Sequence, residues 1–138
     1  ICGGTTAQMA ARELKQELQI LWQPQRHKGS SSADTRLPPI GQLHGIELVT
    51  EGILTLSSTV DRLKNAKTLR ELSPEQDGAT RLARLLLEAD EINFILGDAI
   101  NPQQLADVVR GKPMRQIYLE SLIDQLRQRG KRVSVEHV

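Results

Sequence analysis

Ile46-Glu47-Leu48-Val49-Thr50-Glu51-Gly52-Ile53 holds a strand, a turn and the start of a helix in one short run. Ile46 to Thr50 has the apolar and β-branched content of a strand. Glu51-Gly52 turns the chain, and Ile53, Leu56, Val60 and Leu63 then recur at helical spacing to about Asn65. A strand that passes through a glycine into an amphipathic helix is the repeating unit of an α/β sheet.

The same unit recurs on either side. Ile1-Cys2-Gly3-Gly4-Thr5-Thr6-Ala7 ends a strand on two glycines, and Ala7, Ala11, Leu14 and Leu18 follow at helical spacing. Alanine on the inner face lets a helix lie close to a sheet, and it is also simply a good helix former. Gln19-Ile20-Leu21-Trp22 reads as a short strand stopped by Pro24, and residues 25–36 are a polar, Ser-rich flexible loop closed by Pro38-Pro39. Ile40 to Gly45 leads into the next strand, and His27 and His44 read as loop residues. Lys67 to Leu72 suits a short helix, and Ser73-Pro74-Glu75 a helical start.

Asp77 is placed to cap a helix whose inner stripe is Leu82, Leu85, Leu86 and Ala89. Glu91 to Gly97 is a nearly continuous apolar run, which predicts a central strand covered on both faces. It leaves through Gly97-Asp98-Ala99-Ile100-Asn101-Pro102 toward a short helix over 103–110, broken by Gly111-Lys112-Pro113. Leu119, Leu122, Ile123 and Leu126 mark a last helix over 114–129, and Gly130 suits its C′ position. Lys131 to Val138 alternates as an outer strand would. This order predicts a single α/β domain over 1–138: an open, mostly parallel, Rossmann-like sheet of about five strands with helices on both faces.

Composition narrows the function classes. A chain of 138 residues with 38% apolar and 25% charged side chains is that of one ordinary globular domain. Its aromatics are Trp22, Phe94 and Tyr118, so the core rests on Leu, Ile, Val and Ala and offers no stacking platform for single-stranded nucleic acid. A formal net charge of +1 gives no field for nucleic acid or an anionic membrane. No apolar run approaches the roughly 18 residues of a membrane span. Cys2 is the one cysteine, which rules out an intrachain disulfide and makes a cytoplasmic setting the expectation. It reads as a small buried hydrophobe rather than a nucleophile. Arg127, Arg129, Lys131 and Arg132 read as helix-terminal and edge charges rather than a phosphate patch.

In a parallel sheet every strand exit lies on one edge. Three glycine turns are expected to meet there: Gly3-Gly4-Thr5-Thr6, Thr50-Glu51-Gly52, and Gly97-Asp98 with Asn101. Backbone N–H groups and hydroxyls at the first turn suit a phosphate or carboxylate, while Glu51 and Asp98 suit sugar hydroxyls or a cation. The spacing is neither the three-glycine dinucleotide fingerprint nor a P-loop. No nucleophile elbow or zinc-ligand series is present.

Gly45 to Leu56, Asp77 to Ala83 and Gly97 to Pro102, together with Ile1 to Ala7, resemble in the same order the carboxyl-terminal region of bacterial SpoIIE-type serine phosphatases of the PPM superfamily. The chain departs from that pattern after Pro102, where Gln103-Gln104-Leu105-Ala106 replaces a His-Gln-Asn-Pro-like stretch. The resemblance implies a carboxyl-terminal fragment that is not itself catalytic. The upstream phosphatase domain would be its partner and would hold the Mn or Mg, with no cofactor in this fragment. Three functions follow as expectations: a regulatory or ligand-sensing domain for a small anionic ligand, a docking or homodimerisation module without a ligand, and a small stand-alone enzyme using Glu51 or Asp98.

Overall fold

The computed structural model describes residues 1–22, 40–50, 52–97, 108–109 and 111–138. Four α-helices and three small sheets form among them, a mixed α/β architecture. The largest sheet has four strands in the order β1 (Cys2–Gly3), β4 (Ile46–Thr50), β3 (Ile40–Leu43), β2 (Gln19–Trp22). Only β1 and β4 run parallel in it; β4 with β3, and β3 with β2, are antiparallel. This corrects the expectation of one mostly parallel sheet of five strands. The physical cause is the pair His44-Gly45. Leu43 lies opposite Ile46 across a two-residue turn, with Gly45 at φ 82°, a conformation glycine adopts without penalty. Residues 40–43 are therefore a hairpin strand, not a lead-in.

Helices cover both faces of this sheet. Alternation along β4 sends Val49 to one side, where it packs with Ala7 and Ala11 of α1 (Gly4–Leu14) and with Leu43. Leu48 points the other way with Ile40, into the main core built by α2 (Gly52–Asn65), α3 (Gly78–Glu88) and α4 (Met114–Gln128). The predicted stripe of α1 holds for Ala7 and Ala11 but not for Leu14, which is 55% exposed. The helix stops at Lys15, and Leu18 reaches the small core from an extended segment instead.

The second sheet pairs β5 (Glu91–Leu96) with β8 (Arg132–His137) in parallel, Glu91 opposite Arg132 through Leu96 opposite His137. Ile92, Phe94 and Val133 pack on the main core. The other face carries Glu91, Asn93 and Ile95, all exposed, so β5 is not a central strand covered on both sides. Polar residues at alternate positions had already broken its apolar run. Among the described residues β8 is an outer strand, as expected. Gly130, at φ 77°, terminates α4 at the expected place.

Val108–Val109 (β6) and Lys112–Pro113 (β7) form a two-residue antiparallel pair around Gly111, where a short helix was expected to extend through Arg110. β-Branched valines favour the extended form. The rest of that stretch, and the loop 25–36, lie outside the described residues. Leu69–Glu71 is a single 3-10 turn within the predicted short helix, and no helix starts at Ser73-Pro74.

Candidate functional site

Gly3 lies opposite Thr50 in the parallel pair, so β1 and β4 end on the same edge. Each is followed by a helix, α1 from Gly4 and α2 from Gly52. The helices diverge: α1 covers the Val49 face of the sheet and α2 the Leu48 face. Neighbouring parallel strands whose helices leave to opposite faces define a switch point, where an open α/β sheet leaves a crevice beyond the strand ends.

At this edge the start of α1 is uncapped by any side chain among the described residues. Gly3 is the N-cap, extended at φ −78° and ψ 164°, and among the described residues no side chain bonds the first N–H groups. No acidic residue stands in the first turn, and Thr5 and Thr6 are exposed. A Cβ at Gly4 would meet nothing within 4 Å. Orphan N–H groups at the positive end of a helix dipole suit an anion.

The expected site contracts. Thr50 is buried, its Oγ1 2.8 Å from Thr55 Oγ1, so its hydroxyl serves the interior. Gly97 leaves β5, which belongs to the other sheet and does not pair with β1 or β4. Glu51, Asp98 and Asn101 lie outside the described residues. What the structure brings together is Gly3, Gly4, Thr5 and Thr6 with Thr50 and Gly52.

A buried polar network beneath this edge was not read from the sequence. Asp77 caps α3, its Oδ1 accepting from the N–H groups of Ala79 at 3.0 Å and Thr80 at 3.1 Å. Its Oδ2 accepts from Thr80 Oγ1 at 2.7 Å and Arg62 Nη2 at 3.0 Å, while Arg62 Nε donates to Thr80 Oγ1 at 2.7 Å. Thr59 donates to the Thr55 carbonyl at 2.7 Å and lies 3.4 Å from that of Ala79. Burial works against the charge on Asp77, but the Thr80 hydroxyl and N–H, the Arg62 guanidinium and the Ala79 N–H outweigh it and hold its carboxyl below the ordinary value. Threonine at 55 and 59, four apart on the inner face of α2, was the available signal. Asp77-Gly78 is thus a helix cap with both carboxylate oxygens engaged.

The basic cluster resolves likewise. Arg129 donates to the carbonyls of Gln125 at 2.9 Å, Ala66 at 3.3 Å and Leu63, and Lys131 Nζ to that of Leu87 at 2.7 Å. The Leu63 and Ala66 carbonyls lie at the end of α2, that of Leu87 at the end of α3 and that of Gln125 at the end of α4. Arg132 pairs with Glu91 at 3.1 Å. A shallow hollow of about 390 Å³ beside Arg129 and Lys131, and one of about 340 Å³ beside Arg62, both lie away from the strand exits. Burial pushes the Cys2 thiol above its ordinary value despite the nearby N-terminal charge, the reverse of what a nucleophile needs.

Among the described residues no group of three or more His, Cys, Asp or Glu is placed to hold a metal ion. Among the described residues no helix is long and apolar enough to cross a membrane. Comparison of the chain with protein-family models, with curated proteins and with solved structures finds no match.

Proposed function

We propose that this chain is a ligand-sensing accessory domain that binds a small anionic or nucleotide-like ligand at the exits of β1 and β4. The observation that carries the reading is the switch point: two parallel strands end side by side at Gly3 and Thr50, and their helices part to opposite faces. The β1–α1 and β4–α2 units are the Rossmann-like element, with β2 and β3 an antiparallel extension. The sequence resemblance supplies the rest of the proposal. The domain follows the catalytic part of a cytoplasmic SpoIIE-type serine phosphatase, where the Mn or Mg and the chemistry reside, and reports ligand occupancy to it.

Thermal-shift titration with inorganic phosphate, pyrophosphate, ATP and GTP tests the proposal. A ligand at about ten times its Kd adds about 1.4 kcal/mol and should raise Tm by about 4–6 °C. Thr5→Glu sharpens the test, because a carboxylate in the first turn of α1 stabilises the free helix by a few tenths of a kcal/mol yet repels an anion. The expected result is a higher Tm without ligand and no shift with it. A folded wild-type protein indifferent to all four anions would refute the reading.

A further inference from the structure

Arg132-Val133-Ser134-Val135-Glu136 in β8 reads the same from both ends except for the sign of its charges. Among the described residues β8 pairs with a strand on one side only. The N–H of Arg132 donates to the Asp90 carbonyl at 3.0 Å and that of Val138 to the Leu96 carbonyl at 2.9 Å. Even-numbered residues therefore turn their backbone groups toward β5, and Val133, Val135 and His137 turn theirs outward. Arg127 Nη2, 3.3 Å from the Val133 carbonyl, marks that outer side and leaves the oxygen a second lone pair. Val135 is 37% exposed, Val138 67%, and Ile95 on the adjoining strand 64%.

We propose that a second copy of this chain docks on the outer edge of β8, strand against strand and antiparallel, about a two-fold axis at Ser134. Two separate two-stranded sheets would become one continuous sheet. Charge and backbone direction select the same register. Val133 and the partner's Val135 both point outward and exchange hydrogen bonds. Arg132 then faces the partner's Glu136 at the closely spaced positions between them, twice by symmetry. Sliding by two residues unpairs the charges, and sliding by four sets Glu136 or Arg132 against its own copy. Edge strands that must stay single are often blunted with lysine, whose like charges repel a second copy. An arginine and a glutamate symmetric about a serine do the opposite. Arg132 keeps its contact with Glu91, and Glu136 has no ion-pair partner among the described residues.

One strand per copy is a small contact, so the dimer is expected to be weak and concentration-dependent. Sedimentation velocity on the 138-residue chain, taken up to about 1 mM, should show it forming. Val135→Pro removes an outward N–H and leaves the β5–β8 ladder intact, and Glu136→Arg turns both cross-strand pairs repulsive. Each should weaken association about tenfold or more, with the circular dichroism spectrum unchanged. Arg132→Glu alone should also weaken it, and mixing that protein with the Glu136→Arg protein should restore a heterodimer. A strict monomer at about 1 mM, or a dimer unmoved by both Val135→Pro and Glu136→Arg, overturns the proposal. Should Val135→Pro fail to fold, Glu136→Arg on its exposed side chain decides alone.

Discussion

The helices α1 and α3 both begin beside a glycine and are anchored in opposite ways. α3 starts at Asp77-Gly78, where one buried carboxylate takes two backbone N–H groups, a hydroxyl and a guanidinium. α1 starts at Gly3-Gly4, where no side chain among the described residues caps the helix and two exposed threonines stand in its first turn. The acceptor that an N-terminus needs is supplied internally in the first case and left to the surroundings in the second. The difference separates structural from recognition chemistry. Asp77-Gly78 is fully engaged within the fold, whereas Gly3-Gly4 remains open among the described residues.

The largest expected effect tests the anchored side. Asp77→Ala removes the cap and leaves Arg62 and Thr80 without their acceptor, which should cost about 2–3 kcal/mol in urea unfolding. A loss below about 0.5 kcal/mol would place Asp77 among ordinary surface substitutions and erase the contrast with α1. The carboxyl titrates lower in the folded chain than in the unfolded one. Its contribution is therefore complete above the unfolded value of 3.8 and declines as pH falls through the folded value below it. Stability measured from neutral pH downward should show that decline in the wild type, and Asp77→Asn should flatten it. An identical acid profile in the two proteins would assign the pH dependence to other carboxylates.

Glycine to alanine at the two starts gives a smaller, oppositely signed pair. A Cβ at Gly78 would stand 2.7 Å from Thr50 Oγ1 and 3.4 Å from Thr50 Cβ, against a side chain already bonded to Thr55. Gly78→Ala should cost about 1–2 kcal/mol by overpacking. Gly4→Ala meets open space and should be neutral or stabilise by up to about 0.5 kcal/mol through the unfolded chain. Equal effects at the two positions would show that α3 is not seated against β4 as closely as its glycine implies.

Much of the architecture was legible because local pattern and packing agree there. Asp77 as a cap, Gly130 as a C′ residue, the α4 stripe from Leu119 to Leu126 and the outer strand β8 all follow from spacing. The sheet was not legible, because strand direction is set by pairing and not by the strand itself. Leu43-His44-Gly45-Ile46 carried the one local clue, a two-residue turn ending in glycine between apolar positions. The grouping of the expected turns was hidden for the same reason. Each turn announced itself, but which turns share an edge depended on partners: β1 found β4, and β5 found β8. The threonine network escaped because Thr55 and Thr59 look like surface residues until Thr50 and Ala79 are placed against them.

The far end of α1 gives the finest test of how loosely that helix is held. Lys15 occupies the left-handed region at φ 51°, with its N–H bonded to the Arg12 carbonyl and the Gln16 N–H to that of Ala11. α4 ends in the same motif, Gly130 bonding Arg127 and Lys131 bonding Leu126, but with glycine at the left-handed position. A lysine there bears a steric cost of about 1–2 kcal/mol, part of which glycine returns as greater freedom in the unfolded chain. Lys15→Gly should therefore stabilise the protein by about 0.5–1 kcal/mol, whereas Gly130→Ala should destabilise it by about 1 kcal/mol. The lysine variant also separates the two ends of α1. If added stability at Lys15 leaves anion binding at the Gly3 turn unchanged, the helix is rigid enough for its N-terminus to act alone. If binding tightens about in step with the gain, ordering of α1 is part of what the ligand must accomplish.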